Sequence, residues 1–206
     1  MTLDRFRPVA DRALVPFVDL SERLGLTPDG ISIIAFGFAV AAGGAFFAAG
    51  EGAASRIWFL VAAVFVFCNG WLDLVDGALA RSLGTDSVAG DLLDHVLDRY
   101  ADVIIIAGLA AGADAYALGL LAVTGVLLTS YLGTQIQAVG LGREYGGLLG
   151  RADRLALVGV VGVVAFIAPG ELVRGYTAVE LLLALFAIVG HITALQRFWG
   201  AWSDLE

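Results

Sequence analysis

Residues 73–98 read DLVDGALARSLGTDSVAGDLLDHVLD, and this stretch decides the fold. It sets Asp73, Asp76, Asp94 and Asp98 among apolar residues, with one short polar break from Arg81 to Ser87. Asp73 and Asp76 are three apart, and Asp94 and Asp98 four apart, so each pair falls on one helical face. The apolar runs around them extend to residues 57–80 and 88–110, which predicts two membrane-length helices joined by a turn. Such helices run antiparallel and bring both aspartate pairs to one end. A charge at membrane depth costs roughly 2.5–3.5 kcal/mol on insertion scales and marks function by default.

The whole chain fits that reading. It has 206 residues, 59% hydrophobic and only 16% charged, with a mean hydropathy of +0.87. This composition excludes a disordered tail, a disulfide scaffold and an ordinary soluble domain. Cys68 is the only cysteine and reads as a small buried hydrophobe. A net charge of −8, with all 12 basic residues Arg, argues against nucleic acid as a partner. Further spans are predicted at 31–49, 116–139, 155–168 and 176–199, the last ending in Trp199 and Trp202 as interfacial belts do. Residues 1–26 mix Arg5, Arg7, Arg12 and Arg23 with Phe6, Val9, Leu14, Phe17 and Val18, as an amphipathic helix lying in the interface does. The expected fold is an all-α integral membrane protein: six transmembrane helices plus the N-terminal interfacial helix, one domain over 1–206. Ten Arg fall on the side of both termini and only Arg56 and Arg174 on the other. That makes the termini side cytoplasmic, in the cell membrane.

Seven of the 14 Asp lie between Asp73 and Asp102. Four facing carboxylates repel one another unless cations relieve them. An all-oxygen, His-poor set suits Mg²⁺, Mn²⁺ or Ca²⁺. Four shared carboxylates could hold two ions about 3.5–4 Å apart, the arrangement that supports phosphoryl displacement. Gly77 leaves room against the backbone, Arg81 offers a fork for phosphate oxygens, and Gly90 would let the third span press on the second.

Asp73-x2-Asp76-Gly77-x2-Ala80-Arg81-x8-Gly90-x3-Asp94-x3-Asp98 resembles the signature of the CDP-alcohol phosphotransferases (CDP-alcohol phosphatidyltransferases) at every fixed position. The resemblance implies transfer of a phosphatidyl or archaetidyl group from a CDP-linked lipid to an alcohol, with release of CMP. Asp73, Asp76 and Asp94 would be metal ligands for Mg²⁺ or Mn²⁺, two ions in all. Asp98 would be a ligand or the general base on the acceptor hydroxyl. Gly77, Ala80 and Arg81 would hold the CDP group. The family also implies a homodimer and a site open to the cytoplasm. The donor would be CDP-archaeol or CDP-diacylglycerol, the acidic, Lys-free composition hinting at the former.

The acceptor should bind near the cytoplasmic ends of the third and fourth spans. Arg143, Arg151 and Arg154 supply a cationic loop for a phosphorylated polyol such as inositol 1-phosphate or glycerol phosphate. Family members that use inositol phosphate often carry a basic pair and a Glu after Ser-Tyr. Here Ser130-Tyr131 is followed by Gly133, Gln135 and Gln137, so the acceptor stays open, with Gln135 a candidate contact and serine an alternative substrate. His95, Asp91 and Asn69 read as supporting residues, Asp102 as a partner for Arg99, and His191 as bonded to a neighbouring helix. The rival class is a cation-coupled transporter, since buried carboxylates also mark ion pathways. The clustering of these at one membrane face, and not at the midplane, argues against it.

Overall fold

The computed structural model describes residues 7–50, 53–85, 87–142 and 148–206. The described residues form seven α-helices: α1 (Arg7–Arg23), α2 (Pro28–Ala49), α3 (Ile57–Leu83), α4 (Val88–Gly112), α5 (Tyr116–Ala138), α6 (Arg151–Ile167) and α7 (Ala178–Leu205). A short hairpin, β1 (Glu171–Val173) and β2 (Tyr176–Thr177), joins the last two.

Local chemistry sets the ends that matter for the site. Thr27 caps α2, its side chain accepting from the Gly30 amide at 3.1 Å, with Pro28 in the first helical position. Gly84, at φ +61°, ends α3 in the left-handed conformation that a side chain resists. Ser87 then caps α4 by accepting from Gly90 at 3.0 Å. A connection of four residues, 84–87, joins α3 to α4, and α2 packs against both helices.

Packing puts α2 against both α3 and α4, α5 against α7, and α6 against α3. α2 and α4 meet backbone to backbone: a Cβ on Gly108 would stand 2.2 Å from the Gly43 carbonyl oxygen. The core between them holds Ala39, Phe46, Val66, Ile105, Leu109, Leu183 and Phe186. α1 buries Leu14 and Val18 beside Val75 and Leu79 of α3, and Ser82 donates to Glu22 at 2.6 Å. The outer surface is apolar, with Val64, Phe67, Leu120, Val160 and Ile188 exposed, as lipid contact requires.

Among the described residues four helices, α2, α3, α5 and α7, are long and apolar enough to cross a membrane. α4 has the length, but the part from Asp91 to Asp102 carries Asp91, Asp94, Asp98, Arg99 and Asp102. α6 has 17 residues, about 25 Å at 1.5 Å per residue. Its start differs from the expected residue 155. The Asp153 carboxylate accepts from the Gly150 amide at 3.0 Å and begins the helix at Arg151, so part of the predicted loop is helical. The hairpin was not expected either. Its turn uses Arg174 at φ +51° and Gly175 at φ +88°, a signal too short to stand out beside apolar spans.

Candidate active site

α3 and α4 carry the four aspartates to one end of the bundle. Oxygens of Asp73, Asp76 and Asp94 lie within 4.8 Å of one another. Opposite ligands of a six-coordinate divalent ion stand about 4–5 Å apart, and hard ions take carboxylate oxygens. The three residues therefore fit a divalent ion. Asp98 is near but differently engaged. Arg151 donates to Asp98 Oδ1 at 2.8 Å and to Asp73 Oδ1 at 2.7 Å, bridging the two. Arg99 approaches Asp98 at 3.6 Å.

A second layer lies one turn along α4. Asp102 is 5% exposed and accepts from Arg154 at 2.8 Å, with Arg99 at 3.8 Å and Arg151 at 4.0 Å. The Arg99 partner expected for Asp102 is present, but Arg154 is the closer one. A buried, hydrogen-bonded ion pair fixes both of its members, because leaving either charge alone is costly. Arg99 also donates to Ser130 on α5. This network docks the start of α6 on α4.

On the other flank, Ser32 of α2 donates to Asp76 at 2.6 Å. Asn69 does not reach Asp73; it donates to the Ala35 carbonyl at 3.0 Å. His95 stands 3.7 Å from Asp91 and 3.8 Å from Asp94. His191 meets Thr124 at 3.4 Å, the interhelical contact expected of it.

Two cavities meet at the cluster. A groove of about 760 Å³ is lined by Asp29, Asp76, Gly77, Ala80, Arg81 and Asp94. A cleft of about 900 Å³ between α3 and α6 is lined by Leu60, Phe67, Trp71, Leu155 and Val163 and reaches Asp73, Asp98 and Arg151 at its polar end. Gly90 acts at a different contact from the one expected. A Cβ there would stand 3.2 Å from Asp29 Oδ1, so the missing side chain makes room for the start of α2 and not for α3.

The acceptor candidates separate. Arg151 borders Asp98, whereas Arg154 is buried against Asp102. Gln135 is exposed near the end of α5. Arg143 and Asp86 lie outside the described residues. The sequence reading missed Ser32, the hub at Asp102 and the groove wall at Thr27–Asp29, which had been read only as a helix start. No spacing rule in one sequence links Ser32 to Asp76 across 44 residues.

A family model described as CDP-alcohol phosphatidyltransferase matches residues 26–195. The chain is 32% identical to an archaetidylinositol phosphate synthase of Methanothermobacter thermautotrophicus, over 99% of this chain and 96% of that one. It is 32% identical to a phosphatidylinositol phosphate synthase of Streptomyces avermitilis, over 90% of this chain and 76% of that one. Among solved structures, it resembles the Mycobacterium tuberculosis phosphatidylinositol phosphate synthase with CDP-DAG bound. That match has a TM-score of 0.75 and 26% identity, covering 93% of this chain and 94% of that one. The same enzyme in complex with manganese and citrate matches with a TM-score of 0.76 and 26% identity, over 92% and 88%.

Proposed function

The chain belongs to the CDP-alcohol phosphatidyltransferase family, and we propose that it transfers the lipid phosphate group of a CDP-linked lipid to inositol phosphate, releasing CMP. One observation carries the proposal: the carboxylate cluster stands between a polar groove and an apolar cleft. A CDP-linked lipid has a polar half and an apolar half joined at a diphosphate. The groove at Gly77, Ala80 and Arg81 suits the cytidine end, and the α3–α6 cleft suits the hydrocarbon chains. The diphosphate then falls beside Asp73, Asp76 and Asp94. These three would hold Mg²⁺ or Mn²⁺, which when bound neutralises the diphosphate.

The chain's own residues do the rest. Arg81 forks the nucleotide-side phosphate oxygens. Asp98 takes the proton of the acceptor hydroxyl as that oxygen bonds to the lipid-side phosphorus. The bond from this phosphorus to the CMP oxygen breaks, and CMP leaves. Arg151, 2.8 Å from Asp98, offers its positive charge to a phosphate on the acceptor. Gln135, Arg143 and Arg154 complete the acceptor side, Arg154 through its hold on Asp102.

The names of the relatives support inositol phosphate as acceptor, and an archaeal relative supports CDP-archaeol as donor beside CDP-diacylglycerol. Two ions suit a site that gathers four carboxylates around a diphosphate. Adding α4 and α6 to the four apolar helices makes six spans over one domain, 1–206, with α1 in the interface. Six spans and the arginine asymmetry support a site on the cytoplasmic face of the cell membrane. A homodimer follows from the family resemblance alone.

The test is CMP release by purified protein with either donor, Mg²⁺ and one acceptor at a time: inositol 1-phosphate, glycerol 1-phosphate, glycerol 3-phosphate or serine. Release that requires inositol 1-phosphate supports the proposal. Release with serine alone keeps the family and overturns the acceptor.

A further inference from the structure

Ser32 belongs to α2, outside the 73–98 signature, yet it touches a member of the carboxylate triad. Its hydroxyl oxygen is 2.6 Å from Asp76 Oδ2 and 3.2 Å from the Pro28 carbonyl oxygen. A hydroxyl has one proton to give. The shorter contact and the anionic acceptor assign it to Asp76, because hydrogen bonds to charged acceptors are shorter and stronger. Both residues are buried, Asp76 at 6% exposure and Ser32 at 9%. Among the described residues no Arg or His lies within ion-pair distance of Asp76, unlike Asp73, Asp94 and Asp98.

Among the described residues, Ser32 is the side-chain partner seen for Asp76. A carboxylate offers about four lone-pair sites, so one fixed donor leaves capacity for an ion. The bond from Ser32 ties this α3 carboxylate to α2 before any ion arrives. Ser32 also lines both the groove beside Asp76 and the small cavity of about 10 Å³ bounded by Asp73, Asp94 and Asp98. It forms the wall between the nucleotide side and the carboxylate side.

We infer that Ser32 is a positioning residue that presets Asp76 as a ligand for a divalent ion. α2 thereby contributes to ion affinity although none of its side chains belongs to the triad. This rests on the reading of Asp73, Asp76 and Asp94 as the metal ligands. Partners of metal ligands typically account for a 10- to 100-fold effect on affinity when removed.

The experiment is Mn²⁺ titration of the full chain in detergent, by calorimetry and by the loss of the free-ion electron paramagnetic signal, with neither donor nor acceptor present. S32A is expected to weaken Mn²⁺ binding by about 10- to 100-fold. S32T keeps the hydroxyl and is expected to bind Mn²⁺ close to wild type. Equal Mn²⁺ affinity in wild type and folded S32A overturns the inference. So does an S32A protein that keeps Mn²⁺ but binds CDP-diacylglycerol more weakly, since Ser32 would then serve the groove. D76N separates the two readings. If D76N also leaves Mn²⁺ affinity unchanged, the metal site itself is wrong; if only S32A does, the fault lies with Ser32.

Discussion

The acidic cluster has two halves that differ in what neutralises them. Asp76 and Asp94 face the polar groove and are met by a hydroxyl and an imidazole. Asp98 and Asp102, one and two turns further along α4, are met by Arg99, Arg151 and Arg154. Asp73 joins the halves, because Arg151 holds it together with Asp98. The residue type is the same, and the helices are the same. What differs is α6, whose first turn delivers Arg154 to Asp102 and Arg151 to Asp98 and the shared Asp73. Of five carboxylates (Asp73, Asp76, Asp94, Asp98, Asp102), three are balanced by these arginines, and two negative charges remain at the groove. One half is closed by the protein's own cations. The other is left for a divalent ion.

The largest test of that contrast removes the ion. Chelation is expected to stop CMP release completely, and added Mg²⁺ or Mn²⁺ to restore it; activity that survives exhaustive chelation would make the groove half a mere acidic surface. Next is D98N, at the boundary of the halves. Loss of a general base typically lowers rate by 10²–10⁴-fold. We expect that fall in kcat with donor binding retained, measured by CMP release and by CDP-lipid titration. A fall in donor binding instead would move Asp98 into the metal half.

The closed half should break differently. Arg154 and Asp102 are both buried, and truncating one member of such a pair costs about 3–5 kcal/mol because the other charge is stranded. R154A is therefore expected to lower the melting temperature sharply, with Mn²⁺ affinity little changed in the folded fraction. A stable R154A protein that discriminates against phosphorylated acceptors would return Arg154 to direct acceptor contact.

The groove half was legible in the sequence, and of the closed half only Asp98 and the Arg99–Asp102 pair were. Asp73, Asp76, Asp94 and Asp98 come together through helical spacing and a short turn, both local properties. The helices themselves were legible to within about six residues, because apolar runs record where lipid and core lie. Which guanidinium meets which carboxylate depends on how α6 docks, and no local rule carries that. Arg151 and Arg154 sit in a glycine-rich run that reads as loop until the Asp153 cap forms. Gly90 was read against the wrong helix for the same reason, since the approach of α2 to α4 is set by Gly43 and Gly108 far from the signature.

The smaller tests probe the rim of the groove half. Arg81 lines the groove without an ion pair to a carboxylate among the described residues, so its charge is available to the nucleotide phosphates. A hydrogen bond to a charged group contributes about 1.5–3 kcal/mol, so R81A should raise the donor KM by about tenfold or more. An unchanged KM would remove Arg81 from the nucleotide side.

Asp91 is the sharpest control because it shares the groove wall and the residue type but not the setting. Its side chain is 71% exposed, and its nearest recorded partner is His95 at 3.7 Å. Water screens an exposed carboxylate, so D91N should change stability by no more than about 0.5 kcal/mol. The same screening predicts Mn²⁺ affinity and donor KM near wild type. If D91N instead weakened Mn²⁺ binding as strongly as S32A, the ion would be held by diffuse negative charge along α4. The contrast between the two halves would then come from total charge, and the fixed geometry at Asp73, Asp76 and Asp94 would lose its role.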